Sequence, residues 1–246
     1  MLEGARIVVV VPALDEAPRI GRVIETMPEF VDRIVVVDDG SIDDTAAIAA
    51  RHPRAMVLRH AQRSGVFSAI ATGYRHALAE PGSDRDAFVV MAGDGQMDPA
   101  DLRRVALPIV RGETGYVKGN RFLVEDAAGM PLARKLGGRV FSRLTSFAVG
   151  ADVHDSQCGF TAIARWACER IDLGAVWSGF GYPNDLLSTL VEARIPFAEV
   201  PVRAVYAGEV SRLRARHVVV IGGWVLPRAL LRRAARFDIL RSDVAV

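Results

Sequence analysis

Phe88-Val89-Val90-Met91-Ala92-Gly93-Asp94-Gly95-Gln96-Met97-Asp98-Pro99 is the stretch that decides the fold. It opens on an apolar run without polar alternation, the pattern of a strand covered on both faces of a parallel sheet. The run breaks at an acid set between two glycines, which let the backbone turn tightly and let a bulky ligand approach Asp94. Asp98-Pro99 then reads as a helix start, with Asp98 as N-cap and Pro99 in the first helical position. An acid at the carboxyl end of a central strand sits where open α/β sheets bind ligands. Hard oxygen ligands at such a place suit Mg²⁺ or Mn²⁺ bridging phosphates.

Working outward, the same strand-to-helix alternation repeats. Arg6–Val11 is a β-branched run ended by Pro12-Ala13-Leu14-Asp15-Glu16-Ala17-Pro18, and Ile20, Val23, Ile24 and Met27 follow at helical spacing. Arg33–Val37 is a second strand closing into Asp38-Asp39-Gly40-Ser41, and Asp43-Asp44-Thr45 starts an alanine-rich helix through Ala50. Ala55–Leu58 reads as a third strand and Val66–Ala79 as a third helix. This order predicts an α/β fold, a mostly parallel, doubly wound sheet flanked by helices. Downstream, the pattern predicts a strand over Gly115–Gly119, a loop over Val124–Met130 and an amphipathic helix over Pro131–Val149 with Leu132, Leu136, Val140, Leu144 and Phe147 on one face. A polar turn at Asp152–Gly159, a strand at Phe160–Ile163, a helix at Asn184–Ala193 and strands at Ile195–Val200 and Val202–Tyr206 complete the expected order.

With 246 residues, half of them hydrophobic, the chain is long enough for one large domain with a sizeable core. A net charge of +2 argues against a nucleic-acid partner, because phosphate-tracking proteins carry a strong basic surplus. Cys158 and Cys168 form neither a metal-ligand spacing nor a disulfide framework and read as buried thiols. No signal-peptide pattern opens the chain, and the longest apolar run, Val218–Pro227, falls short of a membrane span. The expected location is the cytoplasm or, peripherally, the cytoplasmic face of a membrane.

Three acidic clusters, Asp15-Glu16, Asp38-Asp39 and Asp94, fall at predicted strand ends. Parallel strands place these ends on one edge, where converging carboxylates repel unless a cation or a donor-rich ligand compensates them. A nucleotide supplies hydroxyl and N–H donors, and its diphosphate needs a metal or basic residues. Asp38 and Asp39 suit ribose or base recognition. The Gly-x-Gly-x-x-Gly fingerprint and the P-loop are both absent.

The order Val11-Pro12-Ala13-Leu14-Asp15-Glu16, Val37-Asp38-Asp39-Gly40-Ser41-x-Asp43-x-Thr45, Arg63-x-Gly65, Gly93-Asp94-Gly95-Gln96 and Gly119-Asn120-Arg121 resembles the family 2 glycosyltransferases with the GT-A fold. Within them, Asp155-Ser156-Gln157-Cys158-Gly159-Phe160, Glu199-Val200-Pro201-Val202 and Tyr206-x-Gly208-x-x-Ser211-Arg212 resemble the polyprenyl-phosphate, dolichol-phosphate mannose synthase-like branch. The resemblance implies a nucleotide-diphosphate-sugar donor, a lipid-phosphate acceptor and Mg²⁺ or Mn²⁺. By motif position, Pro12, Leu14, Glu16, Asp38 and Asp39 would line the nucleoside pocket, and Asp94, with Gln96 nearby, would hold the diphosphate and the metal. Arg121 and Ser211-Arg212 would face phosphate groups. Asp185 would act as general base or contact a sugar hydroxyl; the same residue also reads as a simple acid in the first turn of a helix. The family's metal motif is Asp-x-Asp, and its first acid is replaced here by Ala92, which puts metal affinity in doubt. Two rival readings remain: a family 2 transferase with a soluble hydroxyl acceptor, and a catalytically silent nucleotide-sugar-binding protein.

The chain divides at this stage into a catalytic domain over 1–216 and a basic amphipathic segment over 217–246. Between Arg203 and Arg241 the only acids are Glu209 and Asp238, and Trp224, Leu226, Leu230, Leu231, Phe237 and Leu240 alternate with arginines. Such a helix could lie on an anionic membrane surface, or pack on the domain with a solvated arginine face.

Overall fold

Strand β1 (Ile7–Ala13) is buried along its whole length, so both of its faces must be covered. Its neighbours in the sheet are β2 (Arg33–Asp38) and β4 (Ala87–Val90), both parallel to it, in the registers Val10↔Val35 and Val10↔Val90. The computed structural model describes residues 1–124, 132–205 and 219–242. With β3 (Ala55–Arg59), β5 (Tyr116–Asn120), β6 (Thr161–Ala164) and β7 (Phe197–Pro201), the strands form one seven-stranded sheet in the order β3-β2-β1-β4-β6-β5-β7. The sheet is mostly parallel, as expected; β6 is the exception, running antiparallel to β4 and β5.

The covering helices are α1 (Ala17–Glu25), α2 (Thr45–Ala49), α3 (Val66–Ala79), α4 (Leu102–Val110), α5 (Leu132–Val149), α6 (Arg165–Glu169), α7 (Tyr182–Glu192) and α8 (Leu226–Ser242). Ile20, Val23 and Ile24 give α1 the buried stripe that their spacing predicts. Helix α3 lies directly on β1, and a Cβ at Gly73 would stand 2.3 Å from Val10 Cγ1, so only glycine permits that approach. Asp98 caps the turn Pro99–Asp101 ahead of α4 by accepting from Ala100 N at 2.9 Å. The sequence missed α6, and Val202–Val205 is not a strand: beyond β7, Ala204 makes one isolated bridge to Met97.

Helix α5 forms where its period predicts, but inside out. Leu136, Val140, Leu144 and Phe147 are 56%, 56%, 49% and 68% exposed. The buried side instead carries Ser142, Thr145, Ala148 and Val149, with Phe141 partly buried against the core. Thr145 Oγ1 donates to Asn184 Oδ1 at 3.1 Å, Ser156 N to Ser142 Oγ at 3.0 Å and Val153 N to Ser146 Oγ at 2.9 Å. Gly138 lies against Phe122, where a Cβ would stand 2.9 Å from the tip of the ring. Hydrogen bonds to α7 and to the 153–156 turn thus select the inner face.

Candidate active site

The carboxyl end of β1 is where the acidic clusters meet. On one side Asp39 N donates to Ala13 O at 2.9 Å, and on the other Gly93 N donates to Pro12 O at 3.1 Å. The loops after β2 and β4 therefore flank the Pro12–Glu16 loop, as parallel topology requires.

The first two loops are sewn together by short polar bonds. Asp15 N donates to Ser41 Oγ, Glu16 N to Thr45 Oγ1, Ala17 N to Asp43 Oδ2 and Ile42 N back to Asp15 Oδ1, all at 2.8–3.0 Å. Pro12 and Glu16 are buried, Leu14 half-buried, and Glu16 pairs with Arg19 at 3.0 Å. Asp43 and Thr45, which the sequence placed at a helix start and within the family motif without a role of their own, are half of this stitching.

Asp38 and Asp39 turn inward. Asp38 Oδ1 accepts from Ser41 N at 2.9 Å, while Oδ2 faces Arg59 Nε at 3.1 Å without the alignment of a hydrogen bond. Asp39 accepts from Ser64 N, Gly65 N and His60 Nδ1, each at 2.8 Å. This carboxylate sets the 60–65 loop, and Gly65 is required there: its φ is +106°, and a Cβ would sit 2.6 Å from Ser178 O. Nothing in the sequence pattern pointed to His60.

Asp94 is half-buried on the turn after β4 and accepts from Gln96 N at 3.1 Å, with Gly95 at φ +72° beside it. Val205 N donates to Gln96 O at 2.9 Å, so the segment after β7 braces this turn. The other acids nearby are committed elsewhere: Asp98 pairs with Arg203 at 3.2 Å, and Asp101 with Arg104 and Arg203. Among the described residues no three His, Cys, Asp or Glu side chains group closely enough to hold an ion. With Ala92 in place of an acid, the donor set fits a hard cation only when substrate phosphate oxygens complete the shell, as Mg²⁺ sites often arrange.

On the other side of β6, Arg121 is clamped to Asp155. Its Nε and Nη2 reach the two carboxylate oxygens at 2.8 and 2.9 Å, and its backbone N adds a third bond. Glu199 gathers Asn120 Nδ2, His154 N, His154 Nδ1 and Asp155 N around one carboxylate. Lys118, wholly buried, donates from Nζ to Cys158 O, and burial holds its ammonium below the ordinary value. Arg121 and Asp155 were singled out by sequence separately; their pairing, and Lys118 and His154, were not.

Burial alone would raise the Asp155 carboxyl, but hydrogen bonds from Arg121 and the charges of Arg121 and Lys118 hold it below its ordinary 3.8. Because the folded value is the depressed one, this contribution to stability is present above the unfolded value and disappears as pH falls through the folded one. Urea midpoints taken from neutral pH down to about pH 3 should fall more steeply in the wild type than in Asp155→Asn, which should start lower and vary less. Parallel curves would remove Asp155 from the acid response.

Asp185 is fully buried in the first turn of α7. Its Oδ2 accepts from Trp177 N at 2.7 Å, and its Oδ1 from Arg232 Nη1 at 3.0 Å, with Arg228 Nε 3.5 Å away. The carboxylate thus ties α7 to α8 and to the 173–178 segment. Ser211 and Arg212 lie outside the described residues, as does the 216/217 boundary.

The sequence model described as "Glycosyl transferase family 2" matches residues 8–171. The UDP-N-acetylglucosamine–dolichyl-phosphate N-acetylglucosaminyltransferase of Methanococcus voltae is 28% identical over 232 residues, which cover 87% of this chain and 91% of that protein. The polyprenol monophosphomannose synthase of Mycolicibacterium smegmatis is 29% identical over 208 residues, covering 80% and 76%. Among solved structures, glucosyl-3-phosphoglycerate synthase of Mycobacterium tuberculosis bound to uridine diphosphate superposes with a TM-score of 0.67 at 23% identity, over 93% of this chain and 80% of that one. The same synthase has been crystallised with Mn²⁺, uridine diphosphate and glucosyl-3-phosphoglycerate. That likeness establishes a shared GT-A-type α/β fold, and the family match extends through β1, β2, β4 and the loops that carry the acidic clusters. This chain belongs to glycosyl transferase family 2.

Proposed function

We propose that this glycosyltransferase moves a hexose-type sugar from a nucleotide-diphosphate sugar to a polyprenyl phosphate, with Mg²⁺ or Mn²⁺ at the diphosphate. The observation that carries the reading is the convergence of three acidic loops on the end of β1, with Asp94 on the turn that faces them. The acceptor class is supported by the two relatives named for dolichyl- and polyprenol-phosphate transfer.

In this reading Pro12, Leu14 and Glu16 line the nucleoside pocket. Asp38 and Asp39 act through the loops they pin, Asp39 holding the Ser64 and Gly65 N–H groups in place. Asp94, with Gln96 beside it, would hold the cation, which when bound neutralises charge building on the departing diphosphate. Arg121, held in a fixed plane by Asp155, would face phosphate oxygens. Ser211 and Arg212 would take the acceptor phosphate. That phosphate arrives ionised, so the reaction needs orientation more than a base. Asp185 then positions α7 and α8 instead of moving a proton.

Residues 217–246 are proposed as the accessory membrane-side segment; Trp224 and Leu231 of this segment are 58% and 72% exposed. No helix among the described residues is long and apolar enough to cross a membrane.

The test is a panel of nucleotide-diphosphate sugars with a short-chain polyprenyl phosphate and Mg²⁺ or Mn²⁺, with the lipid product read by mass. One donor should give a glycosylated lipid. Product on a saccharide but never on the lipid would hand the reading to a soluble acceptor. Nucleotide binding without turnover of any donor would make the chain a silent binder.

A further inference from the structure

A helix on a water-soluble domain normally turns its apolar face to the core, because each large side chain left in water forgoes its transfer free energy. Helix α5 sets only Phe141, Ala148 and Val149 against the core and leaves its main apolar row outside. Leu136, Val140, Leu144 and Phe147 recur at spacings of four, four and three residues, which sets them in one stripe on the outer face. The inner face cannot exchange with it: Ser142, Thr145 and Ser146 are engaged with Ser156, Asn184 and Val153, and Gly138 abuts Phe122. The stripe is therefore fixed outward by polar bonds on the opposite side, and a contiguous row of this kind marks a contact surface.

Charge identifies what the surface meets. Within 132–149 there is no Asp or Glu, while Lys135, Arg139 and Arg143 flank the stripe and form no ion pair among the described residues. Arg233 of α8 extends the basic border, its guanidinium lying 5.6 Å over the Phe147 ring. Cations around an apolar row match a sheet of anionic headgroups above hydrocarbon, with the long basic side chains reaching back to the phosphates. A second copy of this chain would bring the same cations face to face.

We propose that α5 is the membrane-docking helix, lying in the headgroup layer of an anionic bilayer with Leu136, Val140, Leu144 and Phe147 inserted. It rests on the lipid-acceptor reading only for its purpose: the helix that grips the bilayer is hydrogen-bonded to Ser156 and Asn184, so docking holds the 153–156 turn and α7 against the surface that presents the acceptor.

The experiment is co-sedimentation of the full chain with phosphatidylcholine vesicles, with and without phosphatidylglycerol, at low and high salt. The wild type should bind the anionic vesicles and lose much of that binding as salt rises. Leu136→Glu with Val140→Glu should lower the vesicle partition coefficient at least about tenfold. Its melting temperature should hold, since both side chains are already in water. Equal binding by the double variant, or no binding by the wild type, overturns the proposal. So does a wild-type dimer in solution that the double variant splits, because a second copy would then cover the stripe. Turnover of a short-chain, water-soluble polyprenyl phosphate separates this from the reaction itself. If vesicle binding and its loss are seen but no donor is turned over, the surface stands and the reaction reading falls.

Discussion

Asp94→Asn is expected to lower turnover by at least about a hundredfold while leaving the fold intact, in line with the loss of one preorganised charge-stabilising group. The fold should survive because Asp94 Oδ1 accepts from Gln96 N at the turn, and an amide oxygen can do the same. What the variant loses is charge. With Ala92 where a second acid would stand, and with Asp98 and Asp101 held by Arg203 and Arg104, no nearby carboxylate among the described residues is placed to replace it. The metal concentration needed for half-maximal rate should rise as turnover falls. Both are read by titrating Mn²⁺ against initial rate, with a melting curve as the fold control. A variant with full activity and an ordinary metal titration would move the cation, or the whole site, elsewhere.

The framework of this site was legible because parallel strands obey a simple rule. Continuous apolar runs gave β1, β2 and β4, and the acids that end them had to share an edge. Spacing could not tell which way those acids turn. Asp38 and Asp39 stand at their expected places, yet their carboxylates face backbone N–H groups of loops more than twenty residues away for Asp39, a long-range fact absent from any local pattern. Helix α5 makes the same point in reverse. Its period of apolar residues located the helix correctly, but period is silent about which face is covered. The decisive information lay in Ser142, Thr145 and Ser146, small polar residues whose partners come from α7 and the turn before β6. β6 also escaped full description, since a short apolar strand carries no mark of its direction, and only its pairing with both β4 and β5 makes it antiparallel.

Asp185 carries the second large effect, and the nature of that effect decides its role. Its carboxylate is fully buried, and its charge is balanced by Arg232 at 3.0 Å with Arg228 slightly farther off. Removing one partner of a buried pair costs about 3–5 kcal/mol, because the other charge is left without compensation. Arg232 keeps Thr189 Oγ1 at 2.9 Å and Glu192 at 3.5 Å, so Asp185→Asn should fall below that range, at about 2–3 kcal/mol. For a chain of this size that is a drop in melting temperature of roughly 5–10 °C. Arg232→Met, which fills the same space without charge, should restore part of the loss when combined with Asp185→Asn, the coupling expected of two groups in direct contact. Activity should decline in step with the folded fraction and with the docking of α8. A general base would behave differently: Asp185→Asn would melt like the wild type, lose turnover at every temperature, and gain nothing from the second substitution. Melting curves and rates on the two single variants and the double variant therefore separate a residue that moves a proton from one that holds two helices together.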